Sequence, residues 1–164
     1  MVQKYLESYV DGQFVPTEFI VTGLSLGGHA TWNILAEDPR ITKAVIIVGS
    51  PNLTSLLLER LGGYNSAADV PEGTREWPHA LEKLYQARDD GVSRISGKTI
   101  LILNGLHDTL VPSRFTHLWM EKHAANNDVR FIEQGENGHW LSYEMMDKMI
   151  DWLLPILDPR AVPS

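Results

Sequence analysis

The sequence predicts an α/β fold on a parallel sheet of about four strands, and three observations carry that expectation. Two runs, Lys43-Ala44-Val45-Ile46-Ile47-Val48 and Thr99-Ile100-Leu101-Ile102-Leu103, are apolar without alternation, the pattern of strands covered on both faces of a parallel sheet. Segments of helical spacing separate the strand-like runs, which is how parallel strands are connected. A glycine-rich turn, Gly23-Leu24-Ser25-Leu26-Gly27-Gly28, joins the first short apolar run directly to a helix-like segment.

The elements follow in order. Val2, Leu6, Tyr9 and Val10 recur at helical spacing, so a short opening helix is expected to end near Asp11-Gly12. Phe19-Ile20-Val21-Thr22 reads as the first strand. The helix after the glycine-rich turn should occupy residues 26–37 and stop at Asp38-Pro39, because proline disfavours a helical residue before it. The runs at 43–48 and 99–103 are the second and third strands, and Val129-Arg130-Phe131-Ile132 is the fourth. Helices are expected at 113–125 and 142–154. Residues 51–97 form a helical, cap-like insertion after the second strand, with one helix in the leucine-rich stretch 53–61 and another over 79–86. A long connection at a strand's C-terminal end commonly forms part of a binding site. The leucines at 53, 56, 57, 58 and 61 are expected to make an apolar wall. The whole chain, 1–164, reads as one domain with this insertion inside it.

Composition narrows the function classes. The chain has 164 residues, 43% hydrophobic and 21% charged, as in ordinary globular proteins. A net charge of −7 and a pI near 5.3 disfavour nucleic acid and anionic membrane surfaces as partners. No apolar stretch reaches the length of a membrane span. Residues 1–7 lack the apolar core of a signal peptide. With no cysteine there is neither a disulfide nor a thiol nucleophile. A cytoplasmic location is expected.

The turn at 23–28 carries the chemistry. A Gly-x-Ser-x-Gly sequence between a strand and a helix describes a nucleophile elbow: Ser25 sits on a tight, strained turn with its hydroxyl exposed. Side chains at Gly23 and Gly27 are expected to collide with the neighbouring strand and helix. The helix N-terminus favours developing negative charge. A serine hydroxyl needs a base, and the base needs an acid to orient it. Asp108, in Asn104-Gly105-Leu106-His107-Asp108-Thr109-Leu110-Val111-Pro112, lies just past the third strand. His139, in Gly135-Glu136-Asn137-Gly138-His139-Trp140, lies just past the fourth. All three residues fall at one sheet edge, where open α/β sheets bind ligands. Glu133 and Glu136 are alternative acids. His29 belongs to the helix start or a pocket wall, and His117 and His123 to the surface. His107, Asp108 and His139 lack a metal-binding spacing, so no metal or cofactor is expected.

On these three motifs the chain resembles the serine hydrolases of the α/β-hydrolase superfamily, most closely small esterases and the dienelactone-hydrolase and prolyl-oligopeptidase-like branches. The resemblance implies Ser25 as nucleophile, His139 as general base and acid, Asp108 as orienting acid, and the Leu26 N–H as an oxyanion-hole donor. It implies a small ester or acyl substrate and no cofactor. Members of that superfamily place further strands, and a second oxyanion donor, before the elbow strand. Here a short helix and loop precede Phe19, so the chain resembles the C-terminal half of the fold. The strand near Phe19 is then a sheet edge, which points to a homo-oligomer through that edge. A non-catalytic fragment or binding module that retains the triad is the alternative.

Overall fold

The computed structural model describes residues 18–158. The opening helix expected over Val2 to Gly12 lies outside the described residues.

Four strands, β1 (Ile20–Leu24), β2 (Lys43–Ile47), β3 (Thr99–Gly105) and β4 (Asp128–Gln134), pair in parallel in the order β1-β2-β3-β4. Among the described residues five α-helices accompany them: α1 (Leu26–Glu37), α2 (Leu53–Gly62), α3 (His79–Ser93), α4 (Arg114–His123) and α5 (Tyr143–Leu157). Sequential parallel strands joined by right-handed crossovers place the connecting helices on one face of the sheet. The packing follows that rule. Trp32 and Leu35 of α1, Val92 of α3 and Trp119 of α4 bury against Ala44, Ile46, Ile100 and Ile102. The rings of Trp32 and Trp119 lie 4.6 Å apart at this layer's centre. On the opposite face α5 sets Met145, Met149, Trp152 and Leu153 on Val45, Ile47, Leu101 and Leu103. The unalternating apolar runs of β2 and β3 follow from this, since both faces of both strands are covered.

Strand ends depart from the sequence expectation for one reason. β1 begins one residue later than expected and continues through Gly23 and Leu24, which pair with Ile46 and Ile47. β3 continues through Asn104 and Gly105. Glycine reads as a breaker in sequence, yet here the ladder runs to the edge of the site and glycine is needed for close approach. α3 likewise runs to Ser93, past the apolar spacing that ends near Gln86.

The connection between β2 and β3 holds α2, a 3₁₀ turn at Ala67–Asp69 and α3. Asn52 caps α2, its side-chain oxygen accepting the Ser55 N–H at 2.8 Å. The Asp89 carboxylate on α3 accepts the N–H groups of Leu53 and Thr54 at 2.8 and 2.9 Å. Burial nevertheless raises the Asp89 pKa. The leucine run divides its side chains. Leu56 packs with Val111 and Phe115, and Leu58 is buried. Leu57 and Leu61 line a cleft of about 330 Å³ with Trp77, Leu81 and Tyr85. The run therefore serves packing as well as any wall.

Among the described residues, β1 lies at one edge of the sheet. Its register puts Thr22 and Leu24 on the same face as Val45 and Ile47. On that face Thr22 is exposed and Leu24 retains 47% of its surface.

Candidate active site

Ser25 is the single residue between β1 and α1. Its φ of 55° and ψ of −112° lie where a side-chain-bearing residue seldom sits, at a cost of about 1–3 kcal/mol. The surroundings hold it there. The Ser25 N–H donates to Ile47 O at 2.9 Å, and Ser25 O accepts the His29 N–H at 3.0 Å.

The glycines around it divide unexpectedly. A Cβ on Gly23 would stand 2.1 Å from Gly27 O and 2.8 Å from Thr31 Oγ1, so that position is closed to any side chain. A Cβ on Gly27 meets nothing within 4 Å among the described residues, which corrects the expected collision there. The tight approach belongs to Gly28, whose Cβ would fall 2.8 Å from Ile47 O and 2.9 Å from the Gly49 Cα. The helix approaches the end of β2 through that second glycine.

Asp108 and His139 reach Ser25 from the ends of β3 and β4. His139 Nε2 is 2.7 Å from Ser25 Oγ, and His139 Nδ1 is 2.7 Å from Asp108 Oδ2. An ionised carboxylate only accepts, so Nδ1 carries the proton and leaves Nε2 to accept from the serine hydroxyl. The other Asp108 oxygen accepts the N–H groups of Leu110 and Val111 at 2.9 and 2.8 Å. The Asp108 side chain is wholly buried, while His139 keeps 20% exposure. A buried carboxylate is tolerable only when hydrogen-bonded, and three donors meet this one.

The two loops brace each other. The His107 N–H donates to Asn137 O, and the Leu106 N–H to Gln134 O, both at 2.9 Å. A Cβ on Gly105 would lie 2.3 Å from Gly138 O, so the histidine loop rests on the end of β3. Buried Asn137 fixes the turn around His139 by donating from Nδ2 to Trp140 O at 2.9 Å.

Leu26 opens α1, and a helix's first N–H has no acceptor within the helix. Its side chain is 80% exposed. Glu133 pairs with His117 at 3.0 Å, not with His139, and Glu136 is exposed. His107 is exposed as well. His123 lies against Trp119. Among the described residues, no group of three or more His, Asp or Glu side chains is arranged to hold a metal ion.

Three contributors escape sequence reasoning: the Gly28–Gly49 contact, the buried Asn137, and the pairing of His29 with Ser50. The doubled glycine before His29 is the one available signal, since a second residue without a side chain permits a second close approach.

No protein-family model and no curated protein matches the sequence. Solved structures do match. An esterase from Pyrococcus furiosus superposes with a TM-score of 0.62 at 17% identity, over 93% of this chain and 58% of its own. Acetyl xylan esterase 1 from Thermoanaerobacterium sp. gives 0.67 at 16%, over 95% and 51%. Puromycin hydrolase gives 0.66 at 18%, over 95% and 23%. The fold is that of the α/β hydrolases. The chain spans between about a quarter and three-fifths of the length of these structures.

Proposed function

We propose that this chain carries the catalytic triad of a serine hydrolase that cleaves a carboxylic ester or related acyl bond. One observation carries the reading: the continuous run Ser25–His139–Asp108, with 2.7 Å at each step, on a serine held at positive φ. The hydroxyl of Ser25 attacks the substrate carbonyl carbon as His139 Nε2 takes its proton. Asp108 stabilises the imidazolium and holds its orientation. The Leu26 N–H and the N-terminus of α1 face the developing oxyanion. His139 then returns the proton to the leaving alkoxide, giving an acyl-serine. Water, activated by the same imidazole, releases the acid and restores Ser25. The scheme uses side chains, a backbone N–H and water.

A small apolar acyl or alcohol group suits the surroundings of the triad in sequence. Leu24 and Leu26 flank Ser25, Leu106 and Leu110 flank Asp108, and Trp140 follows His139. All five are at least 47% exposed. No described helix is long and apolar enough to cross a membrane. The cysteine-free composition suits a reducing compartment, so we place the protein in the cytoplasm.

Turnover of a short-chain p-nitrophenyl ester tests the reading. Steady release of p-nitrophenol by the wild type, reduced to background in Ser25→Ala, is the expected result. Equal turnover by the two would overturn it.

The exposed β1 edge favours a second reading, in which the triad persists in a non-catalytic module. A site with one oxyanion donor where acyl transfer uses two would lose about 10²–10³ in rate. A partner strand at that edge, from a second copy of the chain, would complete the sheet. Mass in solution measured alongside turnover separates these cases: activity confined to the oligomer supports completion by self-association, and an active monomer excludes it.

A further inference from the structure

The turn after β2 is strained in the same sense as the elbow. Val48, a β-branched residue, sits at φ 43°, a conformation such residues avoid. Three hydrogen bonds retain it. The Val48 N–H donates to Leu103 O at 2.8 Å, the Ser50 N–H donates to His29 Nδ1 at 2.9 Å, and Trp32 Nε1–H donates to Gly49 O at 3.3 Å. Two of these three come from α1, the helix that begins at the elbow.

His29 is the unusual member. It is 8% exposed and its pKa is lowered, chiefly by burial. Arg60 and His139 lower it further, while hydrogen bonding to Ser50 and the charge of Asp89 oppose the shift. Nδ1 stands 2.9 Å from the Ser50 nitrogen and 3.2 Å from the Ser50 carbonyl oxygen, to which only a protonated Nδ1 could donate; by the shorter contact the neutral ring accepts at Nδ1 and carries its proton on Nε2.

This turn bears directly on the nucleophile. Its first peptide follows Ile47, whose carbonyl holds the Ser25 N–H at 2.9 Å. Any relaxation of residues 48–50 moves that carbonyl, and Ser25 with it. The same turn leads into the connection between β2 and β3. Ser50 Oγ accepts the Asn52 N–H at 3.1 Å, and Asn52 caps α2. At its other end α2 reaches the acid loop, where the Arg60 guanidinium donates to Leu110 O. Leu110 is also the residue whose N–H binds Asp108. The contacts form a closed ring from Ser25 through His29, Ser50, α2 and Leu110 to Asp108, and back through His139.

We propose that His29 is a positioning residue for the triad: by accepting the Ser50 N–H, it holds the strained 48–50 turn that sets Ser25 against His139 and ties the elbow to the connection between β2 and β3. His29 does not touch the reacting atoms. The inference rests on the hydrolase reading for its kinetic consequence and on geometry alone for its structural one.

The test uses the whole chain with His29→Ala, His29→Asn and Ser25→Ala. Asparagine Oδ1 occupies the same place along the side chain as histidine Nδ1, so it can accept the Ser50 N–H. With a p-nitrophenyl ester, His29→Ala should lower kcat about tenfold to a hundredfold with little change in KM, as small misplacements of reacting groups do. His29→Asn should recover to within about threefold of wild type. Hydrogen exchange at the Ser25 amide should quicken in His29→Ala and return to the wild-type rate in His29→Asn. The exchange readout does not need activity, so it stands even if the wild type proves inactive. Imidazole ¹⁵N shifts in folded Ser25→Ala should report an unprotonated Nδ1 at His29, and this holds even if His29→Ala fails to fold. A protonated Nδ1 overturns the proposal. So does an alanine variant with wild-type kcat and exchange, or an asparagine variant as impaired as alanine.

Discussion

The two sides of the site are finished to different degrees. On the side built by β3 and β4, Asp108 is wholly buried and three donors meet its carboxylate. The acid and histidine loops there touch backbone to backbone at Gly105 and Gly138. On the side built by β1, the strand has a neighbour on one edge only among the described residues, and the residues flanking the serine, Leu24 and Leu26, are 47% and 80% exposed. The difference separates two requirements of acyl transfer. In the proposed reaction, proton handling uses the Ser25–His139–Asp108 run alone, whereas stabilising the oxyanion and enclosing the acyl group would draw on the side next to β1.

The largest expected effect falls on the finished side. Asp108→Asn should lower kcat about 10⁴-fold with little change in KM, because an amide cannot fix the imidazole tautomer that leaves Nε2 free to accept. A loss smaller than tenfold would mean that the buried acid arm is not part of the chemistry, and the contrast between the two sides would collapse.

The elbow side is sharpened by two neighbouring glycines. Gly28→Ala forces a Cβ within 2.8 Å of Ile47 O and 2.9 Å of the Gly49 Cα, and should destabilise by about 1–3 kcal/mol. Gly27→Ala enters open space and should be neutral, or stabilising by up to about 1 kcal/mol through helix propensity. Urea denaturation of both variants measures the difference. Equal effects at the two positions would refute the asymmetric packing of the elbow on β2.

The smallest expected effect is a pH dependence of stability from His29. Its folded pKa lies below the ordinary imidazole value of 6.5 because burial disfavours the charged ring. Between those two values the unfolded chain binds more protons than the folded one, so the contribution is present above pH 6.5 and is lost as pH falls below it. Denaturation midpoints for wild type and His29→Asn should converge or change order on acidification, the wild type losing more. Parallel curves would show that His29 is not held neutral by the fold.

Much of this arrangement is legible in the sequence. The parallel sheet follows from the β2 and β3 runs, and the elbow from a glycine-flanked serine between a strand and a helix. Asp108 and His139 follow from their places just past two strands. What sequence reasoning misses depends on distances between segments far apart in the chain. The contact of Gly28 with Gly49 and the His29–Ser50 hydrogen bond link α1 to the end of β2 across about 20 residues of sequence. Periodicity reports which face of an element is apolar, not which glycine touches another. The leucine run at 53–61 shows the same limit: its composition suggests a wall, but Leu56 and Leu58 are buried in packing.

If Ser25 is presented and activated within this chain as proposed, it reacts with electrophiles that neighbouring hydroxyls ignore. Labelling by a fluorophosphonate, with the modified residue located by mass spectrometry, tests this most directly. One phosphonylated site, Ser25, is expected in the folded wild type, with no labelling of Ser25→Ala and strongly slowed labelling of Asp108→Asn. A folded wild type that takes up no label, or a label that persists in Ser25→Ala, would contradict it.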